Sequence, residues 1–329
     1  MEPVLPPELE KDIFKTTALL HPKMMLNLML AAHRVRTWIE PLLYGVLTFS
    51  TDSSSSKDPV LAAVRSKTPA FLQANVRHIM LKWDPLRPDM PLDIGPVSFV
   101  HSEFPRILST CNQVRSVALF DFAPNIIPAL ESARELRRLG VSLADLFYGV
   151  SFDVDNLLFG VASRELGAGH SRILRLDHPM FAHLTHLSVF DTESTLMVLQ
   201  LHGFSRADFG LLPELTHLSL CESMPMVNFL PTSHHPINLM LTSCEKLEVL
   251  VILLSHVDGS SPLHMLYIDV ADPRLVLMPT TNQEYEVDWE CGARGGRDFW
   301  ERAEMFVAKK RRGEIKPASR CYIETDDGI

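Results

Sequence analysis

The chain has 329 residues, 46% of them apolar and 22% charged, and a formal net charge of −9. This is the balance of a globular chain long enough for a large core and two domains. Its acidity excludes the broad basic surface that nucleic-acid binding needs.

The N-terminus, "MEPVLPPELE", has prolines and acids where a signal peptide needs a basic start and an apolar core. Residues 1–47 read as a helical module. Pro6 and Pro7 suit a first helical turn, and Glu8 and Glu10 complement its positive end. Leu9, Ile13, Phe14 and Leu20 recur at helical spacing. A second helix is expected from His21-Pro22, with Leu26, Met29, Leu30, Val35 and Trp38 as its apolar stripe. Pro41 is expected to stop it, and Leu42, Leu43, Tyr44 and Leu47 to form a third short element. The serine-rich stretch within 48–59 reads as a linker, since it has no apolar face to bury.

Residues 60–281 carry a recurring pattern, L-x-x-L-x-L. The phrase "LTHLS" occurs at Leu184 and again at Leu215. Equivalent triplets start at Val76, Val114, Leu136 and Leu247. The last two residues of each triplet lie two apart, which is strand periodicity. The segments between, such as "NIIPALESARE" and "PINLMLTSCEK", suit helices. Stacked strand–helix units of this kind bury a continuous core behind a parallel sheet. The spacing is irregular and there is no asparagine ladder, so the alternative is an ordinary α/β sheet with leucine-rich strands. The expected fold is therefore α+β and repeat-like: a helical module, an irregular leucine-rich-repeat-like α/β arc, and a C-terminal helix. In the last part, 282–329, a loop should lead into a helix capped by Asp298 with Glu301. Phe299, Ala303, Phe306 and Val307 form its apolar face, Lys309–Arg312 its last turn, and Gly313 its C′ residue.

The five cysteines, at 111, 221, 244, 291 and 321, are odd in number and form no CxxC pair. Neither a disulfide framework nor a zinc module is expected, and a reducing compartment, cytoplasmic or nuclear, is. The basic run at Lys309 reads as helix-end charge, with nuclear import as the alternative. The longest apolar stretch, near Leu247–Leu254, is too short to span a bilayer, so no membrane partner is expected.

No nucleophile elbow, zincin, Walker or dinucleotide motif is present. His183 and His186 lie three apart, but no third ligand is placed beside them, so they read as strand or surface histidines. "FDVDN" at 152 lacks the later ligands of a calcium loop. "GARGG" at 292 reads as a flexible approach to a helix rather than an anion nest, and His234-His235 as loop residues. No catalytic residue, metal or cofactor is expected.

The N-terminal module resembles an F-box. The residues that carry the likeness are Leu5-Pro6, Glu8-Leu9, Ile13-Phe14, Val35, Trp38 and Leu43-Tyr44. The whole chain is similar to fungal F-box-like proteins that join such a start to irregular leucine-rich strands and a "DWE-GARGG-DFW" tail. The resemblance implies that Leu5, Pro6, Leu9, Ile13, Phe14 and Trp38 divide between contact with a Skp-type adaptor of a cullin ubiquitin ligase and the module's own core. It also implies that the arc holds a protein substrate. The stretch "KTTALLHPKMM" is longer than the usual link between F-box helices. This motivates the alternative that the module is only a structural cap on a binding scaffold; an enzyme without a sequence signature is the third reading.

If the triplet leucines point inward, the residues between them line the opposite face of the sheet. In register, His186 lies beside His217 and Ser188 beside Ser219. With His78, Lys82 and Arg138 they would form an open partner-binding surface on the early and middle strands. Phe190, Val249 and Val251 suggest that something covers the later ones.

Overall fold

The computed structural model describes residues 5–50, 58–82, 103–120, 126–148, 175–191, 195–196, 199–200, 203–222, 236–254, 270 and 272–329. The "FDVDN" and His234-His235 segments lie outside these.

The N-terminal module holds three helices: α1 (Pro7–Leu20), α2 (Met25–Met29) after a 3-10 turn, and α3 (His33–Leu43). Pro7 begins α1 and no side chain caps it. Ala18, Met25, Val35 and Ile39 form a small core of their own, with Phe14 and Trp38 against it. The expected second stripe therefore holds only in part. Met25 faces inward, whereas Leu26 and Leu30 face solvent, because the chain breaks between α2 and α3 and restarts the helical phase. Pro41 does not stop the helix. It lies inside the last turn of α3, where the lost amide removes a single backbone bond.

Strand β1 (Val46–Ser50) follows α3 almost at once, and α4 begins at Pro59. Both ends of the expected 48–59 linker are thus structured. The triplet position here is occupied by Tyr44, Leu47 and Phe49, all buried, so aromatic residues conceal the pattern. Asp58 caps α4 (Pro59–Arg65) and Thr68 caps α5 (Pro69–Asn75), each with proline at the start of the helix.

Further along lie β2 (His78–Lys82), α6 (Phe104–Thr110), β3 (Ser116–Leu119), α7 (Ile127–Ser132), β4 (Arg138–Val141) and α8 (Leu143–Tyr148). They are followed by β5 (His186–Val189), β6 (His217–Glu222), α9 (Pro236–Ser243), β7 (Val249–Leu254) and β8 (Leu275–Pro279). Among the described residues the strands make one eight-stranded sheet in strictly sequential order, β1 to β8, and each of these pairings is parallel. All six triplets enter these strands. In β8 the triplet position that would precede Leu275 and Leu277 falls on Asp272, which hid that strand from the pattern.

The triplet residues face the crossover helices and build the main core, where Ile79, Val117, Leu187 and Leu218 meet Leu72, Leu108, Leu130 and Met240. The opposite face is covered as well, by α10 (Asn282–Ala293) and α11 (Phe299–Arg311). A parallel sheet is stable when both of its faces are covered. Residues 282–293 are thus a helix, not the expected loop. Thr281 and Glu284 form a capping box at its start, and Tyr285 and Trp289, one turn apart, are its buried residues. Asp298 caps α11 through the Glu301 amide, and Gly313 follows with φ 75°, as the sequence indicates. The C-terminal segment covers the β8 edge, where Leu277 bridges Tyr322. Among the described residues no helix is long and apolar enough to cross a membrane.

Candidate functional site

A row of polar residues crosses the sheet beneath α10 and α11. The register places His78 beside Ser116, Ser116 beside Arg138, Arg138 beside His186, and His186 beside His217. The two histidines come from the two LTHLS phrases. Their rings stack with centroids 4.1 Å apart and planes 3° from parallel. Trp300 of α11 meets both edge-on, at 5.3 and 5.5 Å.

Each ring is also held from its own strand. His186 Nδ1 lies 2.9 Å from Thr185 Oγ1, and His217 Nδ1 lies 2.8 Å from Thr216 Oγ1. Those hydroxyls in turn reach the carbonyls of Arg137, at 3.1 Å, and Thr185, at 3.2 Å. Among the described residues neither Nε2 has a hydrogen-bond partner, although both atoms are buried. His217 Nε2 is 2.9 Å from Glu304 Oε1, but out of line for a ring N–H bond. Glu304 sits one turn after Trp300, with half of its side chain exposed.

Burial pushes the imidazoles down: His186 to about 2, helped by His217 and Arg138, and His217 to about 4, with Glu248 and Asp298 opposing. His78 falls to about 4 through burial and four nearby arginines. Burial pushes the Glu304 carboxyl up, with Asp298 and Glu248 adding to it. The histidines are therefore neutral near pH 7, and the His217–Glu304 contact is not an ion pair.

Arg138 pairs with Asp298 at 3.1 Å, which ties the middle of the row to the cap of α11. A cavity of about 20 Å³ lies here, lined by His78, Ser116, Arg138, His186, Tyr285 and Asp298 among others. It has room for a single water and none for an organic substrate.

The expected partner-binding set, His78, Lys82, Arg138, His186 and His217, does share one face, in the predicted register. The face is not open. His217 is buried, His78, Lys82 and His186 are partly so, and Lys82 Nζ lies 3.9 Å from Glu286 of α10. The reason is the company these residues keep. Met80, Val251 and Val276 on the same face need apolar cover, and Tyr285, Trp289, Phe299 and Phe306 supply it. His183 is exposed and stands apart from His186 in role, since its carbonyl accepts from Arg137. The informative spacing is between the two copies of one phrase.

Of the expected adaptor residues, Leu5, Leu9 and Ile13 are each more than half exposed. Pro6 is exposed too, while Phe14 and Trp38 pack on the module core. A cleft of about 310 Å³ separates this module from the sheet, between Leu19, Met25 and Pro41 on one side and Val46, Arg77 and Arg294 on the other.

The GARGG segment is a corner. Gly292 lies in the last turn of α10, where an added Cβ would collide with the Asp298 carboxylate, and Gly295 has φ 83°. The amides of Arg294, Gly295 and Gly296 all bond to carbonyls of α10, so no anion nest forms. The basic run is likewise engaged: Lys310 is buried, Lys309 bonds the Asp327 carbonyl, and Arg312 pairs with Glu314. All five cysteines are free thiols. Burial raises Cys111 and Cys221 to about 12 and Cys244 to about 11, which makes them poor nucleophiles. Compared with protein-family models, curated proteins and solved structures, the chain matches none.

Proposed function

We propose that this chain is a protein-interaction scaffold that docks a partner through its N-terminal helical module. One observation carries the reading. Among the described residues, most of the large exposed apolar side chains belong to α1, α2 and the turns beside them, including Leu5, Leu9, Ile13, Leu20, Leu26 and Leu30; Leu30 alone is 85% exposed. Exposed apolar surface concentrated in one small module is the mark of a docking face. The F-box resemblance supplies the partner: a Skp-type adaptor, which would make the chain a substrate receptor of a cullin ubiquitin ligase. The sheet is read as an irregular leucine-rich-repeat-like arc, supported by its sequential strand order and in-register triplets. A protein substrate would have to bind elsewhere than on the roofed face.

Co-purification with the adaptor tests this. The wild type is expected to bind, and a Leu9→Asp/Ile13→Asp variant to lose binding while its melting temperature stays unchanged. No binding by the full chain at micromolar concentration would remove the ligase role.

The cap reading draws on the short path from α3 into β1, and on Lys67 pairing Glu40 at 2.8 Å. Removing residues 1–31 separates the two readings and spares β1. A cap predicts unfolding or aggregation of the remainder. A docking module predicts a folded sheet that has lost only its adaptor.

A further inference from the structure

The two copies of LTHLS place two imidazoles, and α11 one carboxylate, where three acceptors meet without a donor. Each threonine hydroxyl has one proton. Thr185 Oγ1 lies 3.1 Å from the Arg137 carbonyl, and Thr216 Oγ1 lies 3.2 Å from the Thr185 carbonyl. With the protons donated there, each hydroxyl oxygen accepts from the neighbouring ring, so Nδ1 carries the hydrogen on both histidines. Nε2 is then a bare lone pair on both. The opposite tautomer would bury the His186 N–H with no acceptor and leave the His217 N–H out of line with Glu304 Oε1, 2.9 Å away.

Beside these lone pairs, off the axis of the His217 ring nitrogen, stands Glu304 Oε1. The three ligand atoms lie within 4.8 Å of one another. Two lone pairs and a carboxylate oxygen repel one another until a cation lies between them. The surroundings favour one: Asp298, Glu248 and Glu301 all act on Glu304 as negative charges, and Arg138 opposes them. Arg138 is itself paired with Asp298.

We propose that His186 Nε2, His217 Nε2 and Glu304 Oε1 bind a divalent transition-metal ion of the zinc class. Two imidazole nitrogens and a carboxylate suit zinc, cobalt or nickel, whereas calcium and magnesium take all-oxygen shells. The Thr–His hydrogen bonds are outer contacts of the kind that set the ring tautomer in such sites. Tetrahedral zinc at about 2.0–2.1 Å from each atom needs ligands roughly 3.3 Å apart. His217 and Glu304 already lie closer than that, at 2.9 Å, and the stacked rings must tilt toward one another at their Nε2 ends. The half-exposed Glu304 side chain can adjust without moving α11. Bound there, the ion would fasten α11 to β5 and β6 and keep its fourth position toward solvent.

The test uses the full-length protein freed of metal with a chelator. Titrated with cobalt(II), it should bind one equivalent and show visible bands of nitrogen–oxygen ligation, and zinc should displace the cobalt and raise the melting temperature. Glu304→Gln should weaken metal binding while leaving the metal-free melting temperature unchanged or raised, because the amide removes the carboxylate's repulsion of the two lone pairs. Nitrogen NMR of the metal-free protein should show both rings protonated at Nδ1. Absence of saturable cobalt binding, a thiolate charge-transfer band, unchanged binding in Glu304→Gln, or a proton on either Nε2 at neutral pH would each overturn the proposal.

Discussion

His186 and His217 stack face to face, 4.1 Å apart, with Trp300 edge-on to both. Trp300 is therefore the wedge that seats α11 on the middle of the sheet. Trp300→Ala should destabilise the fold by about 3–5 kcal/mol, and Trp300→Phe by clearly less. Urea midpoints measure both, and equal losses would mean that the ring edge is not what matters.

Gly140 is the low point of the roofed face. A Cβ there would meet Phe190 Cζ at 2.7 Å and the Tyr285 hydroxyl at 3.2 Å. Phe190 cannot readily yield, since it stacks on Phe120 at 4.3 Å and meets Tyr285 edge-on. Gly140→Ala should cost about 1–3 kcal/mol by overpacking. Thermal unfolding checks this, and an unchanged or raised midpoint would show that the aromatic cluster can slide.

Asp298 caps α11 through the Glu301 amide at 2.9 Å and pairs with Arg138 at 3.1 Å. Asp298→Ala removes both and should cost about 1–2 kcal/mol, mostly through the cap, since Arg138 remains 43% exposed and its pairing is screened by water. Asp298→Asn keeps a capping oxygen and should recover most of that loss. Denaturant titration of the pair separates cap from charge.

Stability should fall in mild acid through His78. Its pKa drops from 6.5 to about 4 on burial, with Arg138, Arg115, Arg77 and Arg294 adding to the effect. Between these values the unfolded chain takes up a proton that the folded chain refuses. Stability is then flat above pH 6.5 and declines as pH falls toward 4, by at most about 3 kcal/mol from this residue. His78→Gln should flatten its share of the slope. The same slope in wild type and variant would assign the acid sensitivity to other groups.

Much of the sheet was legible in the sequence because a strand reports its own periodicity. The triplets fixed six strands, and the matching of one LTHLS phrase to the other gave the register that pairs His186 with His217. The edge strands were not legible, since Tyr44 before β1 and Phe49 within it stand where leucines were sought and β8 is preceded by Asp272. The candidate site was half legible. The repeated Thr-His pair was visible, but Glu304 lies 87 residues after His217, and no local pattern links them.

The sequence by itself determined which side chains share a face and which neighbours they have along the sheet, because both follow from a period of two and a repeated phrase. It also determined the cap and the apolar stripe of α11. Only the tertiary structure decided what lies over that face. Burial of Met80, Val251 and Val276 required cover, the Gly292–Asp298 contact set the corner between α10 and α11, and that corner laid the helices across the histidine row. The same long-range packing turned an expected binding surface into an interior and left the module's leucines in solvent, because whether an apolar residue is buried depends on which other segment reaches it.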